Sequence, residues 1–197
     1  MKKLTIPIVM GLLCLSFWAR GQGGVFNIQP LKVGDKLPEV FWNQTHNVYE
    51  DGKLSVKNLQ EFKDRLLILD FWATWCGSCI NKFPKLIALE KMFEQKLSVM
   101  LVNSTWTKDN LDKISSRLTG KLPPYNKYNL SSVVTDSTII KYFPHNVMPH
   151  YIWIMNNEVK AITSSEFISD SNIKSLFERN DELIKRKEKI TQGGKNE

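Results

Sequence analysis

Hydrophobic and polar residues fall in blocks along this chain, and the blocks predict a run of strands and helices. The most continuous apolar stretch, Leu66-Leu67-Ile68-Leu69, lies in a segment from Arg65 to Trp72 that predicts a central strand buried on both faces. Ile80 to Phe93 follows at helical spacing. Ile80, Phe83, Leu86 and Ile87 lie on one side, with Lys82, Lys85, Glu90 and Lys91 opposite. Pro84 inside this helix predicts a kink. Leu97 to Val102 predicts a second buried strand. Thr107 is expected to cap a helix carrying Leu111, Ile114 and Leu118, with Gly120 as its stop. Beyond a loop from Leu122 to Leu130, Ser131 to Thr135 predicts a short strand. Ser137 to Phe143 predicts a short helix ended by Pro144. His150 to Met155 and Val159 to Thr163 predict a hairpin turning at Asn156-Asn157. Ser169 or Asp170 starts a last helix with Ile173, Leu176, Phe177 and Ile184 on one face.

Upstream of the central strand the pattern is mixed. Lys32 to Val40 reads as a turn and a short strand whose Pro38 suits a sheet edge. Phe41, Trp42, Val48 and Tyr49 are expected to form a small hairpin covering the sheet, and Asp51-Gly52 marks a turn. Ser55 reads as the N-cap of a short helix with Val56, Leu59 and Phe62. The order strand, helix, strand, helix, hairpin, helix predicts an α/β layered sheet with helices on both faces. At the start, Met1-Lys2-Lys3 precedes 15 apolar-rich residues from Leu4 to Trp18 and then Ala19-Arg20-Gly21. That is the pattern of a secretory signal cut after Gly21. The apolar stretch is short of the roughly 20 residues that a spanning helix needs. The chain therefore divides into a signal (1–21), an N-terminal extension (22–50), a domain (51–190) and a disordered tail (191–197).

Composition changes this picture in two ways. The formal charge of +7 falls to about +4 without Lys2, Lys3 and Arg20, and the remaining lysines are interleaved with acids. Nucleic-acid binding is not expected from such a surface. Of the three cysteines, Cys14 falls in the signal, where Leu12-Leu13 lacks the small residue that lipoprotein processing needs. The mature chain then holds only Cys76 and Cys79. A bridge between them closes almost no loop, so stapling is a poor explanation. A closed zinc site needs four ligands, and no second pair is present. The two residues sit where strand meets helix, at i and i+3. Cys76 at a helix start would meet free N–H groups and the positive dipole end, which favour a thiolate. Cys79 one turn on could resolve a mixed disulfide.

Asp70-Phe71-Trp72-Ala73-Thr74-Trp75-Cys76-Gly77-Ser78-Cys79, with Pro84 and the downstream Met148-Pro149, closely resembles the thioredoxin active site. With the export signal, the chain is most similar to the TlpA/ResA group of exported thiol-disulfide oxidoreductases, over roughly residues 31–185, strongly at 66–84 and 147–154 and loosely elsewhere. Lys32 to Val40 resembles the segment leading into such domains. The resemblance implies a thioredoxin fold: a central mixed sheet, helices on both faces and an N-terminal strand or hairpin extension. It implies Cys76 as nucleophile and Cys79 as resolving thiol. Asp70 would be a buried carboxylate, its pKa raised, taking the Cys79 proton. Pro149 would be cis, turning the Met148 backbone toward an extended substrate. His150 replaces the threonine that often follows, and a strand-surface role is expected of it. Trp75 would shield Cys76 and offer an apolar contact face, with Trp72 in the core. Gly77 and Ser78 would tune redox poise. Ser78 stands where thioredoxins carry proline, which implies a couple more oxidising than theirs.

The expected activity is reduction of protein disulfides in a periplasmic location, without cofactor or metal. The implied partners are disulfide-bearing exported proteins and a membrane thiol electron donor. A monomer is expected, touching the membrane only if the signal stays uncleaved. The alternative is a copper-binding assembly factor on the same fold, with Cys76, Cys79 and His150 as ligands. The two-residue spacing and the intact Trp-Cys-Gly-x-Cys weigh against it. A peroxiredoxin-like peroxidase would call for Thr-x-x-Cys, which is absent. His46 and His145 have no partner visible in the sequence.

Overall fold

The computed structural model describes residues 28–193, so the proposed signal, Cys14, the start of the extension and residues 194–197 lie outside the described residues. In chain order the elements begin with a short helix α1 (Glu39–Asn43) and a hairpin of β1 (His46–Glu50) and β2 (Lys53–Lys57). Strand β3 (Leu66–Phe71), helix α2 (Gly77–Phe93), strand β4 (Leu97–Ser104) and helix α3 (Leu111–Leu118) follow. Next come strand β5 (Ser131–Asp136), a one-turn helix α4 (Ile139–Tyr142), and a hairpin of β6 (His150–Met155) and β7 (Glu158–Thr163). Helix α5 (Asp170–Gly193) closes the described chain.

The seven strands form one mixed sheet in the order β2-β1-β5-β4-β3-β6-β7. β3, β4 and β5 run parallel, and the flanking pairs are antiparallel. Every residue of β3 and β4 is buried, polar Asp70, Ser98, Asn103 and Ser104 included, as in central strands covered on both faces. Successive side chains of β3 serve opposite layers. Leu66 and Ile68 join a cluster with α2, α3 and the start of α5, whereas Leu67, Leu69 and Phe71 join one with α1 and α4. Helices therefore cover both faces.

Local chemistry explains the turns. Asn156 and Asn157 both adopt positive φ, the backbone that a two-residue hairpin turn demands and that asparagine tolerates. Gly120, at φ +78°, ends the α3 segment, and a Cβ there would lie 2.9 Å from the Tyr125 carbonyl oxygen. Only glycine fits both demands. Pro84 lies inside α2, which continues as one helix through it. Its missing N–H leaves the Ile80 carbonyl without its helical donor.

Several expectations need correction. Phe41 and Trp42 belong to helix α1, not to a hairpin, and Pro38 is the residue preceding that helix. Val48 and Tyr49 lie in β1, which pairs with β5, so the hairpin extends the sheet in its own plane instead of covering it. The extension and the domain thus share one sheet. Ser55 caps no helix: it pairs with Val48 inside β2, and Val56 beside it is 68% exposed. Asn110, not Thr107, caps α3 by accepting from the Lys113 N–H at 2.9 Å. The last helix runs to Gly193, three residues beyond the boundary drawn at 190. At the other edge, Lys36 bridges Glu158, the Gly34 N–H donates to the Val159 carbonyl, and the Val159 N–H donates to the Asp35 carbonyl. Residues 34–37 thereby cover the β7 edge.

Candidate active site

β3 delivers its carboxyl end to the amino end of α2, and the two cysteines sit at that junction. Cys76 is the N-cap of α2, and its Sγ accepts the Cys79 backbone N–H at 3.3 Å. The Ser78 hydroxyl stands 3.5 Å from the same sulfur. Cys76 and Cys79 are disulfide-bonded, with Cα atoms 5.3 Å apart. Cys76 keeps 6% exposure and Cys79 none, so access from outside is narrow and reaches Cys76. Gly77 and Ser78 are exposed on the first turn.

Asp70 is fully buried in β3, on the face that carries Trp72 and looks toward α2. Burial pushes its carboxyl well above the usual carboxylate range. Its partner in the β3–β6 register is Tyr151. Trp72 is buried as expected, with its indole N–H donating to Ser132 Oγ at 3.0 Å. Trp75 is 61% exposed, and its indole N–H donates to the Thr107 carbonyl at 3.1 Å. The Met148–Pro149 bond is cis, and Met148 packs against the buried cluster that holds both cysteines.

Parallel β3 and β4 end side by side, so the loops after them meet. The sequence reading missed what this meeting builds. Asp109, buried in the loop after β4, accepts the Thr74 N–H at 2.8 Å and the Thr74 hydroxyl at 2.5 Å. It also accepts the Asn103 amide at 2.8 Å. Thr107 donates to Asn103, and its hydroxyl accepts the Asp109 N–H. Arg117 of α3 donates to the Thr74 carbonyl at 2.9 Å. The residue two places before Cys76 is thus held at its N–H, its hydroxyl and its carbonyl. A run that is polar except for Trp106, directly after a buried strand, Thr105 to Asn110, was the available signal.

His150 does not stand alone on the strand surface. Its ring stacks on His145 with centroids 4.6 Å apart and planes 17° apart, and Phe71 lies 4.4 Å from His145. His145 Nδ1 faces the Phe143 carbonyl at 3.0 Å, and since a carbonyl only accepts, Nδ1 carries the proton. Trp106 bridges His145 and Trp75, at 5.9 and 6.4 Å, so a row of rings runs from the cysteine loop to the strand after Pro149. Burial lowers the pKa of both histidines, and His145 adds repulsion that helps bring His150 down to about 4. A histidine whose folded pKa is depressed is favoured neutral in the fold. Its contribution is present above the ordinary value of 6.5 and is lost as pH falls toward 4. The melting temperature of His150→Phe should therefore change less between pH 7 and pH 4 than that of the unaltered chain, measured by circular dichroism.

Among the described residues, no group of three His, Cys, Asp or Glu side chains converges to hold a metal ion. The copper trio of Cys76, Cys79 and His150 is not assembled. His46, whose partner was not visible in the sequence, lies 3.8 Å from Asp136 in a buried pair on β1 and β5, and burial lowers its pKa. No helix among the described residues is long and apolar enough to cross a membrane.

Residues 52–119 match the thioredoxin family. A thioredoxin-like protein of Bacillus subtilis is 42% identical over 48 residues, which is 24% of this chain and 28% of that protein. The matched stretches amount to 28% and 36% of the length of two curated relatives. Among solved structures, the thioredoxin domain of a thiol-disulfide oxidoreductase from Bacteroides vulgatus superposes with a TM-score of 0.56. It is 16% identical and covers 75% of this chain and 97% of its own. A secreted disulfide oxidoreductase of Mycobacterium tuberculosis gives 0.51 at 12% identity, over 64% of this chain and 87% of its own. Both likenesses establish the fold. The family match runs through β3, both cysteines and α2, the stretch where the fold likeness and the sequence motif coincide; residues 52–119 are thioredoxin-like, and the chain has a thioredoxin fold.

Proposed function

We propose that this protein is an exported, TlpA/ResA-type thiol-disulfide oxidoreductase that reduces protein disulfides through Cys76 and Cys79. The observation carrying this reading is the helix-capping sulfur of Cys76, which accepts an N–H, lies beside the Ser78 hydroxyl and is bonded to a cysteine one turn deeper. Donors aimed at a sulfur favour its thiolate, and the thiolate is the attacking form. Cys76 attacks one sulfur of a substrate disulfide, releasing the other as a thiolate. Cys79 then displaces the substrate from Cys76, closing the Cys76–Cys79 bond and leaving the substrate reduced by two electrons. Asp70 takes the Cys79 proton, a role its burial and raised pKa suit.

Trp75, Met148, Pro149 and His150 form the substrate-facing surface, joined by Trp106. Gly77 and Ser78 set the redox poise. Exchange of this kind needs no cofactor or metal. An oxidised pair must be recharged, and a membrane thiol electron donor is the source that fits a periplasmic protein. The basic, apolar start of the chain supports export, as does the likeness to a secreted oxidoreductase. The test is a trap. Cys79→Ala, expressed with its own N-terminus, should accumulate reducible adducts to exported proteins through Cys76. If no adducts form, or if they form equally when Cys76 is also replaced, the reading fails.

A further inference from the structure

Asp70 is flanked in the sheet by Leu101 of β4 and Tyr151 of β6. No cation faces it. The other titratable members of the buried cluster on this face are Cys76, Cys79, Tyr49 and Tyr128. Among the described residues, neither Asp70 oxygen nor the Tyr151 hydroxyl has a hydrogen-bond partner. Both side chains are fully buried. Two orphaned polar groups on adjacent strands, in a place where each unmade bond is costly, are a pair awaiting an interaction. The phenol is already close enough to oppose the effect of burial on Asp70, and burial, followed by the nearby Asp70, raises the Tyr151 pKa.

We propose that Tyr151 is a positioning residue for Asp70: its hydroxyl donates to one oxygen of the ionised carboxylate and leaves the other to take the Cys79 proton. The proposal rests on the oxidoreductase reading and adds a residue to it. In the resolving step the Cys79 thiol gives its proton to Asp70. The Cys79 thiolate attacks Cys76 Sγ, the Cys76–Cys79 bond forms, and the bond from Cys76 to the substrate sulfur breaks. The bonding electron pair leaves on the substrate thiolate, which takes a proton from water. The phenol reaches hydrogen-bond length as Asp70 ionises, so the base form is stabilised without a charged neighbour.

The experiment loads reduced protein at Cys76 with thionitrobenzoate and follows its release by Cys79 against pH. The rate should rise as Asp70 ionises. Tyr151→Phe, which keeps the ring, should move that rise upward by about one pH unit, because a hydrogen bond to the charged form lowers a pKa and its loss raises it. Asp70→Asn should abolish the rise, and adding Tyr151→Phe to it should move nothing. An infrared titration of the Asp70 carboxyl band in the oxidised protein should show the same shift without any exchange reaction. That second readout separates the two ideas. Inactivity toward protein disulfides sinks the functional reading, whereas an unchanged Asp70 midpoint in Tyr151→Phe sinks the pair. A Tyr151→Phe protein that melts earlier with the midpoint unmoved assigns Tyr151 a packing role only and likewise overturns the proposal.

Discussion

Cys76→Ser should slow disulfide exchange by about 10³-fold or more, because a serine hydroxyl stays protonated where a thiol at a helix start ionises. The substitution is informative because it changes little else. Cys76 caps α2 by accepting the Cys79 N–H, and serine is among the preferred capping residues. The disulfide closes a loop of four residues, so its loss costs at most about 2 kcal/mol of unfolding free energy by loop-closure reasoning. The expected protein is therefore folded and inert. The assay is reduction of insulin with a thiol reductant, read beside a thermal melt. Activity retained within tenfold would show that the reactive sulfur is not Cys76. Cys79→Ala differs in kind: it should still form the first mixed disulfide and fail to release it.

Asp109→Ala carries the second large effect, and here the loss is of structure before chemistry. Its carboxylate accepts three donors, Thr74 N–H, Thr74 Oγ1 and the Asn103 amide, in a buried loop. Removing it leaves three donors without their acceptor, at a cost of about 3 kcal/mol or more. For a domain of this size that lowers the melting temperature by roughly 10 °C. Thr74 is also the residue from which Trp75 and Cys76 are presented. Loosening it should reduce exchange by about 10- to 100-fold, since misplacement of reacting atoms is costly at this scale. Asp109→Asn keeps one acceptor oxygen and should fall between the two. Calorimetry and the same insulin assay check both quantities. A melt within 2 °C of the unaltered chain, allowing for the scale just given, would show that the loop is held by other means.

The two effects also differ in how far they could be read beforehand. Cys76 and Cys79 were legible because everything that singles them out lies in one continuous stretch, Leu66 to Phe93: an apolar strand, two cysteines one turn apart and an amphipathic helix. Asp70 was legible through the same motif. Asp109 was not, because it acts on Thr74, 35 residues away, across loops that meet only when β3 and β4 pair. The polar run before α3 was taken to be Thr107 capping a helix, a local explanation that sufficed without the long-range one. Tyr151 was hidden in an apolar strand, where a phenol counts as hydrophobic and its hydroxyl goes unnoticed. His145 and His150 are separated by Asn146, Val147, Met148 and Pro149, and no periodicity foretells that their rings stack.

The N-terminal hairpin shows the same limit in the fold. The adjacent apolar residues Val48 and Tyr49 report that a strand has buried positions, but not whether it lies over a sheet or beside it. Pairing of β1 with β5 decided that, through residues more than 80 apart. Ser55, Val56, Leu59 and Phe62 matched helical spacing, yet pairing with β1 made the first two strand residues and left Val56 outside. Ladder hydrogen bonds to an existing strand outweighed a weak local preference.

What the amino-acid order determined by itself was the succession of elements, the strand-to-helix junction and the cysteine pair upon it, because spacing and propensity act over a few residues. What the tertiary structure alone decided was company: Asp109 beneath Thr74, Tyr151 beside Asp70, Trp106 and His145 beside the residues that flank the site. Those meetings depend on the order in which strands join the sheet. That order follows from burying both faces at once, a condition on the whole chain that no short stretch of it contains.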